Sequence, residues 1–146
     1  MRAGFSEVDI TPPVGTAKVG NLAHHVGTEV ADPLKAKVFV AEDEEDRLAL
    51  AALDTLSVGR KHVAEMRRRV EEELGFPGEN VMIVATHTHG SPAVVRCGEV
   101  TADEAYVASV TDAVLGGFRE AWGGWRRPKW VSGGPWISVS PRTGAW

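Results

Sequence analysis

The chain has 146 residues, 43% hydrophobic and 25% charged, a balance that supports one packed core and excludes a disordered chain or a coiled coil. Lys and Arg number 16 against 20 Asp and Glu, for a formal net charge of -4, which argues against nucleic acid as a partner because that binding is driven by Lys and Arg. A single cysteine, Cys97, excludes an intrachain disulfide and a cysteine-built zinc site, and no apolar run reaches the ~20 residues of a membrane span.

Taken in chain order, residues 1–7 lack the apolar stretch of a secretory signal, so a cytoplasmic location is expected. Residues 3–9 read as a short strand, ended by Thr11-Pro12-Pro13-Val14-Gly15 because proline removes backbone donors. Residues 15–34 show no period and are expected to be a loop. Lys35 to Ala41, centred on Val38, Phe39 and Val40, reads as a strand. The like-charge run Glu42 to Asp46 reads as a solvated hairpin turn rather than a cation site. Arg47 to Leu53 is apolar enough for a buried strand.

Gly59 to Leu74 reads as a helix with Val63, Met66, Val70 and Leu74 on one apolar face. Arg67, Arg68 and Arg69 are set to pair with Glu71, Glu72 and Glu73 four residues on. Gly75 and Pro77 stop this helix, and His62, near its start, is expected to be exposed. Val81 to Ala85 is a short, fully apolar strand, followed at once by the polar stretch Thr86-His87-Thr88-His89-Gly90-Ser91-Pro92. A second helix is expected to open at Thr101, where Thr101-Ala102-Asp103-Glu104 fits a capping box. Tyr106, Val110, Ala113, Val114, Phe118 and Ala121 line its apolar face, and Gly123-Gly124 end it. Trp130 and Val131 are expected to start a last strand. The 5 tryptophans all fall between Trp122 and Trp146; they read as core faces, some awaiting a partner surface, rather than as a sugar- or lipid-binding surface.

This order predicts the α/β class: a mixed β-sheet with a βαβ unit and flanking helices. In a βαβ unit the strands over 47–53 and 81–85 are parallel neighbours. Ligands in open α/β sheets sit beyond the carboxyl ends of parallel strands. Asp54-Thr55 and Thr86 to His89 both lie there and should face one another. His87 and His89 are two apart, so in extended chain both imidazoles point to one face and can approach one cation. Asp54 is then a third ligand or a residue that orients a ligand from behind. The other reading is two histidines hydrogen-bonded at a strand end. His24 and His25 are adjacent, point opposite ways in extended chain, and read as loop packing. Cys97 reads as a small buried hydrophobe. Ser91 follows the histidines, but nothing in the sequence supplies a triad geometry.

Thr86-His87-Thr88-His89 after an apolar strand resembles the Thr-His-Thr-His motif of the neutral/alkaline non-lysosomal ceramidase family. Val8-Asp9-Ile10-Thr11-Pro12-Pro13-Val14-Gly15 resembles that family's opening, Asp32-Pro33-Leu34-Lys35-Ala36 the start of its first long strand, and Ala51-Ala52-Leu53-Asp54 the strand before its first helix. Tyr106-Val107 and the helix after them fit as well, so the resemblance covers most of residues 4–132. It departs at Gly90-Ser91, where the family has Ser-Gly, and at Ser140-Pro141-Arg142, where an Asn-Arg-Arg-like stretch is expected.

The resemblance implies a zinc-dependent amidohydrolase that cleaves ceramide, or another N-acyl amide, to an amine and a fatty acid. It implies one zinc ion with His87 as its first ligand, and His89 as a catalytic residue of the pocket. Residues 1–146 would then be a single, partial domain, the amino-terminal part of a larger layered α/β catalytic domain. The other zinc ligands of the family (a second histidine, a glutamate and a tyrosine) have no match here. A missing carboxyl-terminal part or an oligomer partner would have to supply them. Two alternatives stay open: a non-catalytic truncated, degenerate or interaction module on the same scaffold, and an independent small hydrolase with His87, His89 and Asp54 as a three-ligand site.

Overall fold

Residues 35–42 alternate in the way that makes a half-buried strand: Ala36, Val38 and Val40 face inward while Lys37 and Phe39 face outward. In the computed structural model, which describes residues 1–20 and 25–124, this strand lies inside a four-stranded mixed sheet. The strands are β1 (Arg2–Asp9), β2 (Ala17–Lys18), β3 (His25–Val26), β4 (Lys35–Glu42), β5 (Arg47–Leu53) and β6 (Val81–Ala85), and the helices are α1 (Arg60–Leu74) and α2 (Glu104–Gly123). The sheet order is β1-β4-β5-β6, with β2 and β3 forming a separate two-stranded ladder. β1 with β4 and β4 with β5 are antiparallel, whereas β5 and β6 are parallel, with Leu53 opposite Ala85. The βαβ unit and the α/β class are therefore as expected.

One face of the sheet holds the core. Val38, Val40, Ala49, Ala51, Leu53, Val81 and Ile83 pack there with Met66 and Val70 of α1 and Val110, Val114, Leu115 and Phe118 of α2. Burying each large apolar side chain stabilises the fold by about 1.5–3 kcal/mol. The close approach of α2 to β1 needs Gly4, because a Cβ there would lie 1.8 Å from the Ala121 carbonyl oxygen. Ser6 of β1 adds a hydrogen bond to the Gly117 carbonyl, 2.7 Å. On the opposite face of the sheet Phe5, Leu48 and Met82 are exposed among the described residues, and the Phe5 and Phe39 rings meet at 4.9 Å in a tilted pair.

Several expectations are corrected. The loop over 15–34 contains β2 and β3, whose ladder pairs Ala17 with Val26 and Lys18 with His25; two residues a side are too few to show a period. The cap of α2 is Asp103, not Thr101: its carboxylate accepts from the Tyr106 amide at 3.0 Å, placing the cap three residues before the first buried side chain. His62 is buried rather than exposed, because it stands one turn before Met66 and two before Val70 on the same stripe. Arg68 and Arg69 pair with Glu72 and Glu73 as expected, but Arg67 instead donates from Nε to the Val81 carbonyl, 2.7 Å. β6, although wholly apolar, buries only Val81 and Ile83 fully and exposes Met82 and Val84. Trp122 packs edge-on against Phe76 at 5.1 Å. His24, the strand expected at Trp130, the remaining tryptophans and Ser140-Pro141-Arg142 lie outside the described residues. Among the described residues, no helix is long and apolar enough to cross a membrane.

Candidate functional site

The polar segments that follow β5 and β6 do face one another, and they are stitched together by backbone. The Thr86 amide donates to the Leu53 carbonyl at 2.9 Å and the His87 amide to the Thr55 carbonyl at 3.0 Å. The parallel pairing thus continues two bonds past the strands and stops at His87. There the chain turns, since His87 has φ 67°, the left-handed region that few non-glycine residues enter. The two histidines are therefore not brought together by extended chain, as their spacing alone implies. The turn at His87 does it, and the rings meet at 5.2 Å between centroids in an edge-on arrangement.

The His87 ring has a defined partner. Its Nδ1 lies 2.8 Å from the Leu56 carbonyl oxygen. A carbonyl only accepts, so Nδ1 carries a proton, and in the neutral tautomer this selects the lone pair is on Nε2. A backbone carbonyl on one ring nitrogen is how a metal-binding histidine is held in tautomer and orientation. The His89 ring rests on Gly20: a Cβ there would lie 2.6 Å from its Cγ, and Gly20 itself has φ 89°. Only glycine meets both demands. His87 and His89 are both largely exposed to solvent.

The groups behind the histidines are held in turn. Asp54 is half-buried and uses both carboxylate oxygens, accepting from the Lys35 amide at 2.9 Å and from the Thr86 hydroxyl at 3.0 Å. Ser91 is fully buried. Its hydroxyl accepts from the Leu56 amide at 3.1 Å and donates to the Pro92 carbonyl at 3.2 Å, and its own carbonyl accepts from Val19. So placed, it is no nucleophile. Asp9 takes hydrogen bonds from Thr11 and Lys35, which in that order hold its carboxyl down to about 2. Tyr106 donates to the Ile10 carbonyl at 2.8 Å. Burial pushes its phenol up, and the Asp54 and Asp9 charges push the same way. A cleft of about 290 Å³ borders the histidine loop at Thr88 and Gly90, with Pro13, Val14, Val30 and Leu34 among its walls.

In donor chemistry this corner fits zinc: an imidazole with Nδ1 anchored on a backbone carbonyl and Nε2 left as the atom that could bind. In number it supplies part of a coordination sphere, because among the described residues no three of His, Cys, Asp and Glu come together. The three-ligand reading of His87, His89 and Asp54 is thereby corrected, since the Asp54 carboxylate is turned to Lys35 and Thr86. His25 sits in β3, opposite Lys18. Cys97 is half-buried rather than buried, against the small cluster of Val19, Leu56 and Ala93. Two contributors escaped sequence reasoning. The Leu56 carbonyl is backbone and has no side-chain signature, and Gly20 is one glycine among 16.

No family model matches the chain. Sequence similarity is found to neutral ceramidase of Drosophila melanogaster, 33% identical over 100 residues, covering 62% of this chain and 14% of that protein. Neutral ceramidase of Drosophila pseudoobscura pseudoobscura matches to the same extent. The crystal structure of neutral ceramidase from Pseudomonas aeruginosa superimposes with a TM-score of 0.70 at 21% identity, over 86% of this chain and 22% of that one. The likeness is to neutral ceramidases. A ceramidase complexed with C2 gives a TM-score of 0.69, again at 21% identity; at that identity the structural likeness is one of fold. The resemblance read from the Thr86–His89 motif is thus borne out in sequence and in architecture. The chain spans about a seventh of the length of the curated ceramidases it matches.

Proposed function

We propose that this chain supplies the first part of the site of a zinc-dependent amidohydrolase of the neutral ceramidase type. The observation that carries the reading is the His87 imidazole, held by the Leu56 carbonyl with Nε2 free at the carboxyl end of β6. It lies in a chain similar to neutral ceramidases in sequence and fold. Zinc, when bound, supplies a Lewis acid that polarises the amide carbonyl of an N-acyl substrate such as ceramide. His87 would hold the ion through Nε2. In this reading His89, beside His87 and resting on Gly20, is the residue that exchanges a proton with the reacting amide. Asp54 acts from behind, by fixing Thr86 at the point where the chain enters the histidine loop.

Zinc content and affinity test the reading. The purified chain is expected to bind zinc, and His87→Ala to weaken that binding by at least about tenfold, the scale seen when even outer partners of a ligand are removed. Hydrolysis of an N-acyl amide is expected only when the remaining ligands are supplied in trans by the carboxyl-terminal part of a ceramidase. An affinity unchanged by His87→Ala overturns the assignment. A second reading, a non-catalytic unit on the same scaffold, is favoured by the two imidazoles having no third donor beside them among the described residues. It predicts a chain purified without stoichiometric zinc and inert after complementation.

A further inference from the structure

Two hydrogen bonds tie Leu56 to the histidine loop, more than 30 residues away in sequence. His87 Nδ1 donates to the Leu56 carbonyl at 2.8 Å, and the Leu56 amide donates to Ser91 Oγ at 3.1 Å. Ser91 lies four residues after His87 on the same loop. Leu56 is therefore gripped at both ends of its backbone by one loop. Ser91 takes its N–H, and His87 uses its C=O. Every member is in place to act: Ser91 is fully buried and Leu56 is buried. Without the Ser91 hydroxyl, the buried Leu56 amide loses its acceptor and must move to find another. The Leu56 carbonyl, on the adjoining peptide unit, loses an anchor when the amide does.

We propose that Ser91 is a positioning residue for His87, acting through the Leu56 backbone to keep the imidazole in the Nδ1–H tautomer with Nε2 presented outward. The hydroxyl touches neither substrate nor metal. Its effect reaches the site by fixing where one carbonyl oxygen stands. The Val19 amide, which donates to the Ser91 carbonyl at 3.0 Å, ties the segment leading to Gly20 to the same residue. Ser91 thus sits behind both histidines, behind His87 through Leu56 and behind His89 through Val19, the residue before Gly20.

The proposal rests on the reading of His87 as a metal-binding histidine, but its first readout does not. Long-range nitrogen–proton NMR on the labelled chain, at one alkaline pH where imidazole is neutral, reports the tautomer of His87 directly. The wild-type chain is expected to show Nδ1–H alone. Ser91→Ala is expected to show a mixture of tautomers and about a tenfold loss in zinc affinity, whereas Ser91→Thr, which keeps the hydroxyl, retains the wild-type pattern. A Ser91→Ala chain that melts earlier but keeps the pure Nδ1–H form overturns the proposal, since a packing role alone gives that result. If Ser91→Ala does not fold, Ser91→Thr decides: a folded variant with a mixed tautomer overturns it and one with the pure form supports it. A wild-type chain that shows the Nδ1–H form but binds no zinc refutes the metal reading and leaves the positioning role standing.

Discussion

Asp54 shows how a residue of the right type in the right place takes a different part from the one its chemistry first implies. Its carboxylate joins the start of β4, through the Lys35 amide, to the end of β6, through the Thr86 hydroxyl. Asp54→Asn keeps the shape but trades charge-assisted bonds for neutral ones, and it should cost about 1 kcal/mol in a urea unfolding series. The same variant should lower zinc affinity less than His87→Ala does. At this scale the His-x-His pair after an apolar strand is visible in the sequence as side chains. The Leu56 carbonyl that orients the ring is not, nor is the glycine under His89, because neither is distinguished by residue type.

At the scale of elements, most of what positions the site follows from pattern. Strands over 35–42, 47–53 and 81–85 and the stripe of α2 are all readable from alternation or from helical spacing. The β2–β3 ladder and the cap of α2 are not. The first is too short for a period, and the second depends on which of two plausible oxygens meets the Tyr106 amide. The contact of α2 with β1 yields a sharp expectation. Gly4→Ala drives a methyl group into the Ala121 backbone, where no side chain can rotate away. The loss should be at the upper end of overpacking, about 3 kcal/mol or more. Thermal unfolding checks it, and Gly116→Ala, inside the same helix with nothing within 4 Å of the added carbon, is the control that should stabilise by up to about 1 kcal/mol.

For the whole molecule, stability is expected to depend on pH through His62. It is buried with neither ring nitrogen hydrogen-bonded. Burial lowers its pKa first and the Lys61 charge lowers it further, with Glu104 opposing. The folded chain therefore takes up this proton at lower pH than the unfolded chain, whose histidine titrates near ~6.5. Between those two points the unfolded state binds more protons, so stability is whole above ~6.5 and falls as pH drops through the window. Urea midpoints measured across that range should show the slope, and His62→Phe should flatten it. The second face of the sheet, where Phe5, Leu48 and Met82 are exposed among the described residues, also belongs to this scale: β6 is apolar throughout yet buries only one side.

The left-handed turn at His87 sets backbone ease against the role proposed for its ring. An L-residue with a Cβ is held there at a cost of about 1–2 kcal/mol, a tension that glycine would release. His87→Gly should therefore melt higher than His87→Ala, although both lose the imidazole. The gap between the two melting points measures how much conformational ease the chain gives up to keep a ring in this corner.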